Sequence, residues 1–431
     1  MKNASTNSMV QILSIRDFVL LWIAGSISVL GSQFSLIAMP WLVLQLTGDP
    51  LALGMVLALG GIPRAVFIPL GGAITDRFSP RIILLICDWL NFVLAALAAV
   101  LVYFGIMQVW MIYLFSLTTG LLAGFVMPAS TSILPTLVPE ADLQVGNSIT
   151  MGSSQLAGFI GPALAGIVIG IYSHSNFGIA IAFAVDALSF VLSALALTLM
   201  SAGRRLQGTD AVVQAGEAIW SSIHEAFGYL WSHPGMQVRF IFMAAVTLFF
   251  RGPLLVGIPV LADQRLPEGA RAFGLLMSAL AGGNLLGFIL AGALPKPGGR
   301  ALSIIFIVLL VAFGVVLVSL GWITLTWIDF VLILMLSVGN GYIVISIITW
   351  IQQRTPREML GRIMGMLMLA TIGLVPLSQA LSGAVIRWNL TGLFVLGGGL
   401  VLLTALWVAF QPAFKALSSE MSGDLGFEEI V

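Results

Sequence analysis

Gly71-Gly72-Ala73-Ile74-Thr75-Asp76-Arg77-Phe78-Ser79-Pro80-Arg81 is a short charged hinge between two long apolar runs, in a chain of 431 residues of which only 8% are charged. Its layout returns in a worn form, Gly292-Ala293-Leu294-Pro295-Lys296-Pro297-Gly298-Gly299-Arg300, 220 positions later, about half the length of the chain. Recurrence at half length is the mark of a membrane protein made of two similar helical bundles. The second copy carries Lys296 where the first carries Asp76, so the two hinges are not chemically equivalent.

Composition agrees with that reading. Soluble domains carry about 25% charged residues, whereas this chain is 59% hydrophobic, with a mean hydropathy of +1.08. A hydrocarbon core of ~30 Å takes roughly 20 residues per helix. Apolar runs at 18–46, 51–74, 82–104, 109–134, 147–171, 177–200, 238–261, 271–294, 301–321, 325–350, 359–386 and 391–412 supply twelve candidate spans. The first run is far longer than a signal-peptide core and is expected to stay as the first span, tilted or interrupted around Pro40.

The expected fold class is therefore all-α integral membrane, with 12 transmembrane helices in two pseudo-symmetric six-helix bundles. The expected organisation is an N-terminal bundle over 1–200, a linker over 201–237, a C-terminal bundle over 238–412 and a tail over 413–431. In the linker, Ile219, Ile223, Phe227 and Leu230 share one helical face, which fits either a helix lying at the membrane surface among lipids or a connector packed on the protein. Two further pairs support the repeat: Pro40 with Pro259, and Pro139 and Leu143 with Pro356 and Leu360, at offsets of 219 and 217.

Alternate loops differ in charge. With a cytoplasmic N-terminus, the inner side carries thirteen basic residues, among them Arg77, Arg81, Arg204 and Arg300, against Arg265, Arg271 and Arg387 outside. The positive-inside rule then places both termini in the cytoplasm of a multi-pass protein of the cell membrane. Net charge is zero with scattered basic residues, so no nucleic-acid partner is expected. The single Cys87 and the isolated His174, His224 and His233 give no metal-ligand spacing, and no cofactor is expected. The chain has no phosphate-binding G-x-x-x-x-G-K-[ST] loop and no identifiable nucleophile and base pair, which argues against ATP-driven action and against an enzyme. Nothing in the sequence requires an oligomer.

The spacing Gly72, Asp76, Arg77, Arg81 resembles the loop signature of the major facilitator superfamily, with Ser79 and Pro80 in place of the usual glycine and basic residue. Longer strings resemble its drug:proton antiporter branch, which includes macrolide-efflux and enterobactin-exporter proteins. They are Met127-Pro128-Ala129, Leu134 through Glu140, Gly161 through Gly166, Asp186 through Phe190, and Glu225 through Trp231. Gly158, Gly161, Pro162 and Gly166 are similar to the superfamily's antiporter helix, although Ala165 replaces one expected glycine. The alternative for these four residues is ordinary close helix packing. The arginine that related branches carry four residues before a glycine in span 4 is absent, since Ser116 precedes Gly120 at that distance.

The resemblance implies a secondary active exporter of hydrophobic or amphipathic small molecules working by alternating access, with protons as the coupling ion. It also implies a latch in which Asp76 faces the start of span 11 near residues 358–361, and a central cavity lined by spans 1, 4, 7 and 10. Other readings stay open: a siderophore, lipid or organic-anion exporter, an uptake symporter, and a sensor or scaffold that transports nothing.

Charged groups within a bilayer are costly and usually face a cavity or a partner. Arg64, Asp186 and Arg251 lie deep in spans 2, 6 and 7, and the repeat aligns Arg64 with Asn284 and Arg251 with Ser32 beside Gln33. Gln33, Arg251 and Asn340 are the candidates for substrate contact, with Arg64 and Asn284 as further polar positions. Asp186 is expected to neutralise Arg64 or Arg251, either as a titrating coupling group or as a fixed partner. Phe34, Trp41, Phe249 and Phe250 are possible wall residues.

Overall fold

The computed structural model describes residues 9, 11–173, 175–201, 241, 243–294, 299–354 and 369–410. Among these residues, twelve apolar helices cover the expected spans. They are α1 Arg16–Thr47, α2 Pro50–Arg77, α3 Pro80–Tyr103, α4 Val109–Leu137, α5 Leu143–Ile171 and α6 Phe177–Thr198. The second set is α7 Met243–Gln264, α8 Ala270–Ala293, α9 Gly299–Leu320, α10 Thr326–Arg354, α11 Thr371–Ile386 and α12 Leu390–Phe410. The linker, the tail, the prolines of the second hinge and residues 358–361 lie outside the described residues.

Local chemistry sets the boundaries. Gly48 at φ 61° ends α1 in the left-handed region, which a residue without Cβ adopts at no steric cost. Asp49 then caps α2 by accepting from the Leu51 amide at 3.0 Å, and Pro50 occupies the first turn, where a missing N–H loses nothing. α1 runs unbroken through Pro40, so the expected interruption does not occur. Pro40 and its neighbours Met39 and Trp41 are buried, and surrounding helices support the backbone there.

Large apolar side chains such as Leu97, Val100, Val308 and Leu403 remain exposed, which in a lipid solvent carries no cost. In the first unit, exposed Tyr103, Phe104, Trp110 and Tyr172 ring the ends of α3 and α5 and the start of α4. In the second, Trp322, Trp327 and Trp388 occupy the matching ends of α9, α10 and α11. Such aromatic belts mark the headgroup level. Arg77 and Arg81 sit at the opposite ends of the helices.

The chain divides into two compact units, Met1–Glu217 with Ala262–Ser278, and Ala218–Leu261 with Ala279–Val431. The last three residues of α7 and the first third of α8 thus belong to the first unit. A reciprocal glycine crossing explains this. A side chain on Gly166 of α5 would meet the Ala270 carbonyl at 2.6 Å and the Gly274 Cα at 2.9 Å, and one on Gly274 would collide with the Pro162 carbonyl. The amide of Ala163, just past Pro162, donates to the buried Ser278 hydroxyl at 2.9 Å.

The same helix pairs cross in both units. In the first, Gly120 of α4 lies against the Gly60 carbonyl of α2. In the second, Gly341 of α10 lies against the backbone of Asn284 on α8, with the Asn284 Cα 3.0 Å from where a Cβ would stand.

Gly166→Val or Gly274→Val is expected to lower stability by about 1–3 kcal/mol through overpacking. A thermal melt of the purified variants in detergent checks this, with Gly72→Ala, which meets no described atom within 4 Å, as the mild comparison.

Candidate functional site

The charged hinge over residues 71–81 is built by α2, α3 and α6. Thr75 is buried and donates to the Gly71 carbonyl at 2.7 Å, and Gly71 presses on the Gly124 carbonyl of α4. Gly71, and not the family-signature Gly72, is therefore the glycine of close approach here. Arg77 is exposed at the end of α2. Arg81 reaches across to the C-terminus of α6, where its Nε donates to the Leu197 carbonyl at 2.7 Å and its Nη2 to the Thr198 carbonyl at 2.8 Å. A guanidinium there satisfies carbonyls that a helix end leaves unpaired, and it complements the negative end of the helix dipole. One turn of helix deeper, Ser193 donates to Asp88 at 2.6 Å, so α3 and α6 are tied twice. The Asp76 side chain and the residues 358–361 expected to face it both fall outside the described residues.

Asp186 is 3% exposed on α6, and its hydrogen bonds come from hydroxyls where the sequence reading expected an arginine. Ser32 donates to Oδ1 at 3.4 Å, and Ser35 donates to Oδ2. Both serines lie on α1, which passes close because Gly31 leaves room for the Ser189 side chain. Arg64, fourteen positions after Pro50, is exposed.

Arg251 ends a π turn, Thr247–Arg251, within α7. A second π turn, Leu369–Gly373, precedes the regular part of α11. The two are joined, since Arg251 Nη1 donates to the Thr371 carbonyl at 3.2 Å. Widened turns break the i to i−4 ladder and are frequent at functional sites.

Here a side chain has entered that ladder. The Gly252 amide donates to the Ser378 hydroxyl at 3.0 Å, and the same hydroxyl donates to the Leu248 carbonyl at 2.6 Å. Ser378 replaces the direct bond that an α-helix would make between residues 252 and 248. Gly252 is required, because any Cβ would overlap the Ser378 hydroxyl and its backbone.

The first bundle has the counterpart of this crossing with the sizes reversed. A Cβ on Gly161 of α5 would lie 2.6 Å from Gln33 Cγ of α1, so Gly161 accommodates Gln33. Positions 33 and 252 differ by 219, and 161 and 378 by 217, which are the offsets of the repeat. Gln33 Nε2 donates to its own helix at the Val29 carbonyl, 3.3 Å away. Gly158, one turn before Gly161, is half-buried.

Asn340 Nδ2 donates to Asn284 Oδ1 at 2.8 Å, and Asn284 Nδ2 donates to the Leu280 carbonyl at 2.9 Å. Two positions named separately in the sequence thus form one half-buried polar pair between α8 and α10. Three of the aromatic candidates are packed away: Phe34, Trp41 and Phe250 are each less than 9% exposed, and Phe250 stacks on Phe313 at 5.0 Å.

Sequence reading missed Ser378 and Thr371, which are ordinary residues within an apolar run. It also passed over Asp329, a charge within the run 325–350 that was legible on the same ground as Asp186.

Gly252→Ala is expected to destabilise the protein more than Ser378→Ala, since its methyl group meets the Ser378 backbone as well as the hydroxyl. The serine variant, which strands the Gly252 N–H and the Leu248 carbonyl, should cost about 1–3 kcal/mol. Melting temperatures of the two purified variants give the order.

Known proteins resemble the chain along most of its length. It is 26% identical over 365 residues to the multidrug efflux pump Tap of Mycolicibacterium fortuitum, covering 82% of this chain and 85% of that one. It is 26% identical over 359 residues to the enterobactin exporter EntS of Escherichia coli O1:K1 / APEC, covering 81% and 80%. The crystal structure of the nucleoside transporter NupG superposes with a TM-score of 0.69 over 93% of this chain and 98% of that one, at 16% identity, which is a likeness of fold. The family model described as Major Facilitator Superfamily matches residues 21–377. With twelve apolar helices among the described residues, paired crossings repeated at half length and that match, the chain is a multi-pass membrane protein that belongs to the Major Facilitator Superfamily.

Proposed function

We propose that the protein is a secondary active exporter of hydrophobic or amphipathic small molecules across the cell membrane, working by alternating access and driven by inward proton movement. The observation that carries this is the likeness to an efflux pump and to an exporter along four-fifths or more of all three chains. Polar groups kept inside the apolar helices support an active transporter over a scaffold, since such groups are costly unless used.

Arg251 is the proposed substrate contact of the second bundle. It is exposed, permanently charged, and held beside a widened backbone turn. Gln33, Arg64 and the Asn284–Asn340 pair are further polar positions for a substrate. Asp186, with both oxygens taken by α1 hydroxyls, fits a tie between α1 and α6 better than a mobile ion pair. Gly72, Asp76, Arg77 and Arg81 are proposed as the conformational latch, in which Arg81 fixes α3 to α6 and Asp76 faces the start of span 11 near residues 358–361. Both termini are proposed to be cytoplasmic. A second reading, export of an oxygen-rich organic anion of the siderophore class, is favoured by the likeness to EntS together with the cationic Arg251.

Expression in a bacterial strain lacking its own efflux pumps is expected to lower accumulation of labelled macrolides or dyes, and a protonophore should reverse the effect. Arg251→Ala should lose the effect with normal amounts in the membrane fraction. Lowered accumulation confined to siderophores would select the second reading, and no lowering for any compound would count against export. Asp76→Asn should slow transport without loss of membrane insertion, and an unchanged rate would remove the latch.

A further inference from the structure

We propose that Asp329 of α10 is the carboxyl that carries the coupling proton, a role that rests on the proton-driven reading above. Asp329 is 0% exposed, and neither of its carboxylate oxygens has a hydrogen-bond partner among the described residues. It contrasts with Asp88, whose Oδ2 accepts from Ser193, and with Asp186, both of whose oxygens accept from serine hydroxyls. An ionised carboxylate buried without a partner is far more costly than the neutral acid. A native protein that keeps such an orphan needs a reason for it.

The placement supplies the reason. Asp329 is the fourth residue of α10, roughly 5 Å along the axis from the helix start at 1.5 Å per residue. That start lies at the belt of exposed Trp322 and Trp327, the level of the outer headgroups in the proposed orientation. At 3.6 residues per turn, Thr326, Asp329, Ser337 and Asn340 fall within about 80° of one helical face.

Thr326, Asp329 and Ser337 are buried, and the Ser337 hydroxyl also lacks a partner among the described residues. Asn340 ends the stripe at mid-helix, joined to Asn284. The face thus carries polar groups from its outer start to mid-helix, two of them unspent, with the buried Ile333 between Asp329 and Ser337.

The first bundle has no such line at the matching positions, all of which are described. At the offset of 217 the four become Val109, Ile112, Gly120 and Ala123, and Ile112 is as fully buried as Asp329. Ser116, the polar residue within that arc between Val109 and Ala123, spends its hydroxyl on the Val56 carbonyl at 2.6 Å. An acid at the buried position of an isoleucine is therefore a property of the second bundle alone and not a demand of the fold.

Few charges face it. Of the helices packed on α10, α9 carries only Arg300, at its opposite end. α8 carries Arg271 at its outer end, where the guanidinium donates to the Gly170 carbonyl at 3.4 Å. No described cation is bonded to Asp329 to hold it ionised.

In the conformation that hydrates the outer end of α10, one carboxylate oxygen takes a proton from hydronium, forming an O–H bond as one of the hydronium's breaks to leave water. The neutral acid is the form suited to the closed surroundings described above. When the inner end of the stripe is hydrated, the O–H bond breaks, the proton leaves as hydronium, and the carboxylate is restored.

The test uses the full chain purified into liposomes. Asp329→Asn is expected to lose substrate accumulation driven by a pH gradient while retaining substrate exchange without a gradient, and Asp329→Glu should restore the driven step. In infrared spectra, the pH-dependent C=O stretch of a protonated carboxyl should vanish in the asparagine variant and shift in the glutamate variant.

Driven accumulation equal to wild type in Asp329→Asn, an unchanged band, or equal loss of exchange and driven transport would overturn the proposal. If the asparagine variant is not recovered folded, the band shift in the glutamate variant decides alone. A wild type indifferent to the gradient would sink the proton-driven reading, and the infrared arm would still report whether Asp329 takes up a proton.

Discussion

Lipid offers no hydrogen bonds, so every polar group inside the membrane must be satisfied by the protein or kept for a purpose. That constraint accounts for most of the described contacts between helices. Serine and threonine hydroxyls return to their own helix, as Thr75 does to Gly71, or cross to a neighbour, as Ser193 does to Asp88. Arg81 takes the last carbonyls of α6. Against this economy the two orphaned groups of α10 stand out, because the same helix satisfies Asn340 three turns further on.

Without a hydrophobic force between helices, association depends on close packing. Glycines therefore mark where helices cross, and several of these crossings fix the place of a polar group. Gly31 brings the Ser32 and Ser35 hydroxyls to Asp186, Gly161 accommodates Gln33, and Gly341 brings α10 to Asn284. Gly252 admits Ser378 into the backbone ladder of α7, beside the turn that presents Arg251.

Comparison of the two bundles separates fold from function. Crossings that recur at the repeat offset, such as Gln33 with Gly161 and Gly252 with Ser378, belong to the architecture, although the bulky partner changes sides. Features without a counterpart are the better markers of specialised chemistry. The Arg251–Thr371 bond between two π turns and the acid at the level of Ile112 are of this kind. Both lie in the second bundle.

The sequence by itself determined the membrane class, the twelve spans and the duplication, because these follow from run length, hydropathy and recurrence, all of which are local or periodic along the chain. It also singled out Asp186, Arg251, Asn284 and Asn340, since a charge or amide within an apolar run is visible wherever it ends up. Partnership was decided only by the tertiary structure. Asp186 meets serines of α1 and not an arginine, Gly71 and not Gly72 makes the close approach, and Ser378, unremarkable in sequence, completes a broken helix turn. The reason is physical: depth in the membrane is set by position along one helix, but the side chain met at that depth depends on which helix lies alongside and how closely glycine lets it come.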